Sequence, residues 1–119
     1  MAGQKPNFAD LAFGEPSKAV YVIEAFPSLK IGISRDPAKR ARQLQVGQDR
    51  EVCVFWAIRL AASDAQKVET EVHRRLGSRN IHMRGEWYAF SPMEARAEIE
   101  RVIGDLGFRS QLDLEFGIR

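Results

Sequence analysis

Two short, largely apolar runs stand near the start of the chain, and in the second apolar positions alternate with polar or small ones. Residues 19 to 24 and 29 to 34 are rich in Val, Ile and Tyr and are broken by Pro27-Ser28. That pattern predicts two strands paired as an antiparallel hairpin. Side chains alternate along a strand, so Tyr21 and Ile23 share one face. Lys30, Gly32 and Ser34 share a face of the second strand, and Ile31 and Ile33 take the other. A helix is expected next, with Asp36 as N-cap, Pro37 in the first turn and Gly47 as the stop after about Val46.

Residues 51 to 60, EVCVFWAIRL, are apolar on both parities from Val52 to Ile58. A strand covered on both faces fits this run. Ser63 with Gln66 reads as a capping box that opens a second helix, whose stripe is Ala65, Val68, Val72 and Leu76. Gly77 closes it. A polar loop holds Arg79, His82 and Arg84, and Trp87, Tyr88 and Phe90 suggest a short extended segment. Ser91, Pro92 and Glu94 open a third helix carrying Ile99, Val102, Ile103 and Leu106, which ends near Gly107. The tail after it alternates Leu112, Leu114, Phe116 and Ile118 with polar or small residues. This is a strand pattern that could extend the sheet edge, meet a second copy as a homo-oligomer, or lead to another partner.

The element order implies a small α/β (α+β) domain: a three-stranded, mainly antiparallel sheet flanked by helices. Its expected organisation is an N-terminal arm over 1–18, partly disordered, a domain over 19–107 and a C-terminal tail over 108–119. A chain of 119 residues is long enough for one core. No apolar run reaches the roughly 20 residues of a membrane helix, so no membrane association is expected. The first residues lack the pattern of a signal peptide. Cys53 is the single cysteine, which excludes a disulfide or cysteine-based zinc site within one chain and fits a cytoplasmic location.

Net charge is only +2, and its distribution says more than its sum. Residues 30 to 50 hold six bases (Lys30, Arg35, Lys39, Arg40, Arg42 and Arg50) against Asp36 and Asp49. A focused basic patch of mostly Arg suits phosphate, which a guanidinium fork can grip with two hydrogen bonds. Tyr21, Lys30 and Arg40 fall within this one compact unit. Each also has a structural reading: a packed strand aromatic, an edge charge and a solvated helix face. Glu69 and His73 lie four apart on one helix face, a spacing that can chelate a metal or let His73 border the core. Trp87 and Tyr88 could stack on bases, although aromatics of small domains more often pack the core. Cys53 reads as a core thiol.

Ala19-Val20-Tyr21, Lys30-Ile31-Gly32, Arg40 eight residues after Gly32, and Glu69 within AQKVETEVH together resemble the GIY-YIG nuclease superfamily. With GEWY at 85 to 88 and His73, the chain is most similar to a phage-associated, DNA-binding branch of it. The resemblance spans about residues 19 to 103. Ala19 replaces the first motif's glycine and Lys30 the second motif's tyrosine. The resemblance implies an endonuclease in which Tyr21, Lys30, Arg40 and Glu69 are catalytic and Glu69 holds one Mg²⁺ or Mn²⁺. It further implies DNA contacts from Arg35, Lys39, Arg42, His73 and Arg84, with Gly32 structural at the site. The alternative is a non-catalytic DNA-binding or regulatory module on the same scaffold.

Overall fold

The structure, a computed structural model, describes residues 16–77, 87–108 and 112–114. Strand β1 (Ser17–Ala25) turns through Phe26 and Pro27 into β2 (Ser28–Ser34). Helix α1 (Pro37–Gln45), β3 (Cys53–Ala61), α2 (Ala62–Gly77), β4 (Trp87–Tyr88), α3 (Pro92–Leu106) and β5 (Leu112–Leu114) follow. The strands form one sheet in the order β4-β2-β1-β3-β5, antiparallel at every pairing. The α+β class is as expected, but the sheet has five strands and not three. Trp87 and Tyr88 pair with Lys30 and Leu29 on the outer edge of β2, and Leu112–Leu114 pair with Ala57–Arg59 on β3. Short additions of this kind satisfy edge N–H and C=O groups that an unpaired strand leaves open. The tail segment that might have met a second copy therefore pairs within the chain over those three residues.

The sheet divides two unequal cores, by side-chain parity along β1 and β2 and with an irregularity in the β3 register opposite Val22 and Ile23. Val20, Val22, Leu29, Ile31, Trp56, Ile58 and Leu60 face α2 and α3. Ala19, Tyr21, Ile23, Ala25, Val54 and Ala57 face α1, which contributes Ala41 and Leu44. Helices α2 and α3 are further tied by ions. Arg75 reaches Asp105 at 3.0 Å and Glu98 at 3.5 Å, and Glu98 also pairs with Arg101. Hydrogen bonds from Arg74, then Arg75, hold the Glu71 carboxyl at about 2, below its ordinary 4.5. Among the described residues, no helix is long and apolar enough to cross a membrane.

The caps follow the sequence with one exception. Asp36 accepts from the Lys39 N–H at 3.0 Å, and Ser91 accepts from Met93 and Glu94. Gly107 takes the left-handed conformation that closes α3, with the Phe108 N–H bonded to the Ile103 carbonyl. Helix α2 starts earlier than a cap at Ser63 predicts. The helix begins at Ala62, directly after β3, and the Ala62 N–H donates to the Pro16 carbonyl at 2.9 Å. That bond serves one N–H of the first helical turn from backbone just before β1. The expected arm lies outside the described residues except at its end, where Ser17 and Lys18 belong to β1.

Helix α1 has nine residues and only Pro37 and Ala41 fully buried. Gln45 compensates at its C-terminal end. Its amide donates to the carbonyls of Gln48 and Arg50 and accepts from the Val52 N–H at 2.8 Å, folding residues 47–52 against the helix. Gln45→Ala should lower stability by about 1–3 kcal/mol, since it strands the Val52 N–H as well as removing bonds. Urea unfolding of both proteins checks this.

Candidate nucleic-acid site

The α1 side of the sheet carries the candidate side chains in a fixed grid. Tyr21 on β1 stands between Gly32 on β2 and Ala57 on β3. One row away, Lys30 stands between Ile23 and Trp87. One row the other way, Ala19 stands between Ser34 and Arg59. Tyr21, Lys30 and Gly32 therefore occupy one face, as alternation predicts. Arg59 joins them. Sequence reasoning missed it because a lone cation at the end of an apolar run reads as a solvated strand end.

Tyr21 is buried, and its ring lies across Gly32. A Cβ built on Gly32 would fall 2.4 Å from the Tyr21 Oη and 2.7 Å from Cζ. Glycine here is a matter of space: any side chain would displace the phenol. Since Gly32 is the β2 neighbour of Tyr21, a hydroxyl above it has crossed from β1 toward the outer edge of the sheet.

Glu69 and His73 approach the same strand from the other layer. The α2 stripe of Ala65, Val68, Val72 and Leu76 is buried on the sheet, and Glu69 and His73 flank it. His73 Nε2 lies 3.0 Å from the Ile31 carbonyl oxygen, and Nδ1 bonds the Tyr88 hydroxyl. A carbonyl only accepts, so Nε2 carries the proton; in the neutral ring the Tyr88 O–H donates to Nδ1. The two rings also stack, with centroids 5.6 Å apart. Among the described residues β4 pairs with β2 at Leu29 and Lys30, and His73 meets the same strand at Ile31. Both ring nitrogens are thus engaged by protein. His73 braces α2 to β2 and β4. Tyr88 is likewise buried in the core, not presented for stacking.

Glu69 lies one turn before His73, its Oε2 3.9 Å from Nε2. Gln66 donates to its other oxygen at 3.3 Å. The carboxylate keeps partial exposure, so it can take a cation whose remaining ligands are water. That chemistry fits a hard divalent ion, which binds one or two carboxylates and retains several waters. Among the described residues, no group of three or more His, Cys, Asp or Glu could form an all-protein metal cage.

Helix α1 distributes its bases to different sides. Ala38, Ala41, Arg42 and Gln45 line a groove of about 410 Å³ with Val52, Cys53 and Val54 of the β3 side. At 100° per residue, Arg40 projects from the opposite flank of Ala41 to Arg42. Arg40 therefore faces away from β3, and its guanidinium bonds Gln43 at 3.5 Å. Arg35 and Lys39 are exposed, as Arg42 is. Cys53 is half-buried in the groove wall and not deep in the core. Arg84, with Arg79 and His82, lies outside the described residues.

A family profile described as the T5orf172 domain matches residues 18–103. No curated protein and no solved structure matches the chain.

The packing of Tyr21 on Gly32 makes a direct prediction. Gly32→Ala should destabilise the fold by about 1–3 kcal/mol through overpacking, because the phenol must move. Tyr21→Leu in the same chain should recover much of that loss, as judged by thermal melting of the three variants.

Proposed function

The chain belongs to the T5orf172 domain family, and from that premise we propose that it is a DNA-binding endonuclease of GIY-YIG type. It would hydrolyse phosphodiester bonds with one divalent metal, Mg²⁺ or Mn²⁺, held at Glu69. One observation carries this reading. The Tyr21 hydroxyl lies over Gly32, His73 reaches the carbonyl of the adjacent Ile31, and the Glu69 carboxylate lies 3.9 Å from that histidine. This supports a site in which a hydroxyl from one layer and a carboxylate from the other would act on one phosphate.

The roles follow from residue chemistry. A divalent metal would supply charge to the phosphoryl oxygens and a more acidic bound water. Glu69 would hold it, kept in place by His73 and Gln66. Tyr21, fixed by burial, would orient the attacking water and accept a hydrogen bond from it. Arg40 would stabilise charge that develops on the phosphate. Lys30, largely buried on the Tyr21 face, would add positive potential to the same spot. Arg35, Lys39 and Arg42 would hold neighbouring phosphates and set the path of the strand.

Incubation of supercoiled plasmid with Mg²⁺ or Mn²⁺ tests the reading. Wild-type protein should nick or cut it, and Arg40→Ala or Glu69→Gln should slow cutting by roughly 10²-fold or more, the scale on which a charge-stabilising group acts. Intact DNA throughout, or variants that cut as fast as wild type, would sink the enzyme.

A second reading keeps DNA binding and drops cleavage. Lys30 favours it, since a buried ammonium stands where the nuclease motif has its second phenol. This module would bind DNA through the Arg-rich helix and regulate by occupancy. Both readings require salt-dependent binding, with log K falling against log salt by about 0.9 per phosphate contacted. Gel-shift titrations at several salt concentrations should give a slope of roughly 3–5 for the bases exposed around α1. A slope near zero would count against both.

A further inference from the structure

We infer that Arg59 is a positioning residue for this site, tying the corner between β2 and α1 to the start of β1 and so fixing where α1 presents Arg40. The inference rests on the proposed nucleic-acid function for its consequence, but its structural basis is separate. Arg59 is only 7% exposed and lies on the α1 face opposite Ala19, whose small side chain leaves room for a guanidinium. Its Nη2 donates to the Arg35 carbonyl at 2.9 Å, and its Nη1 donates to the Ser17 hydroxyl at 3.2 Å.

Arg35 is the last residue before the helix cap, so the bond is passed on directly. The Asp36 N–H donates to the Ser34 hydroxyl at 3.0 Å, and the Asp36 side chain caps the Lys39 N–H. The Arg40 N–H closes the first helical turn on the Asp36 carbonyl at 3.0 Å. Two hydrogen bonds thus separate the Arg59 fork from the backbone of Arg40. Helix α1 needs such a tie because its apolar anchor is small, with Gln45 serving the other end.

Stability alone does not account for the residue. A buried guanidinium carries a large desolvation cost, and well-packed apolar replacements of buried ionic groups are often neutral or better. What the fork supplies is direction. It satisfies two acceptors at once in fixed geometry, which a lysine ammonium on a flexible stem does not reproduce.

The test uses Arg59→Met and Arg59→Lys, each alone and combined with Arg40→Ala, in the full chain. Amide hydrogen exchange should be faster at Lys39 and Arg40 in both single variants, with β1 and β2 unchanged. Affinity for a fluorescent DNA duplex should fall by roughly tenfold in both, within the hundredfold that an ångström of misplacement can cost. In the Arg40→Ala background the further fall should be small, because the effect passes through Arg40. Arg59→Lys behaving as wild type, unchanged exchange at 39 and 40, or losses that add in full would each overturn the inference. Should wild-type protein bind no DNA, the proposed function fails, and the exchange measurement still decides the role of Arg59. Should Arg59→Met fail to fold, Arg59→Lys carries the same comparison.

Discussion

The phenol of Tyr21 occupies the place that a side chain on Gly32 would need. This contact requires one register of the β1–β2 hairpin. A slip of one residue would put Ile31 or Ile33 beside Tyr21 and reverse every inward and outward position of β2. The same register sends Val20, Val22 and Ile31 into the larger core and keeps Lys30 and Gly32 on the α1 face. Core and site are therefore set together. The hairpin cannot be repaired for one without disturbing the other.

Side chains from both layers reach β2 at Ile31 and Gly32. The phenol crosses the strand from the α1 side, and α2 comes around from the opposite side through His73. Among the described residues β4 pairs with Leu29 and Lys30, and the Ile31 carbonyl accepts from His73. Helix α1 is the least anchored of the three helices. Its two ends are held by polar side chains from elsewhere, Arg59 at the start and Gln45 folding the following loop at the end. The cation expected to meet phosphate is thus carried by the element with the least apolar support.

Much of this was legible in the chain. Alternation placed Tyr21, Lys30 and Gly32 on their faces, and Asp36, Ser91 and Gly107 marked helix ends because capping is local chemistry. Non-local choices were not legible. Trp87–Tyr88 and Leu112–Leu114 are too short to have a period of their own, and they become strands only because an edge is there to pair with. The start of α2 at Ala62 is set by the Pro16 carbonyl, 46 positions away in the chain. The bracing contact of His73 was not legible either, because one of its partners is a backbone carbonyl, which leaves no trace in residue identity. Arg59 was overlooked for a related reason: its burial depends on Ala19 across the sheet. The helical wheel separates Arg40 from Arg42, but only the packing of α1 on β3 shows which flank each one takes.

A crystal structure with Mn²⁺, located by its anomalous scattering, tests most directly whether the two layers form one site. The expected result is a Mn²⁺ peak at roughly 2.1 Å from a Glu69 carboxylate oxygen, a hard-cation distance. It should lie on the side of β2 over which the Tyr21 hydroxyl projects, with one water between them. A Mn²⁺ bound elsewhere, or a Glu69 carboxylate that turns away from the Ile31–Gly32 edge when the ion is present, would contradict a shared site.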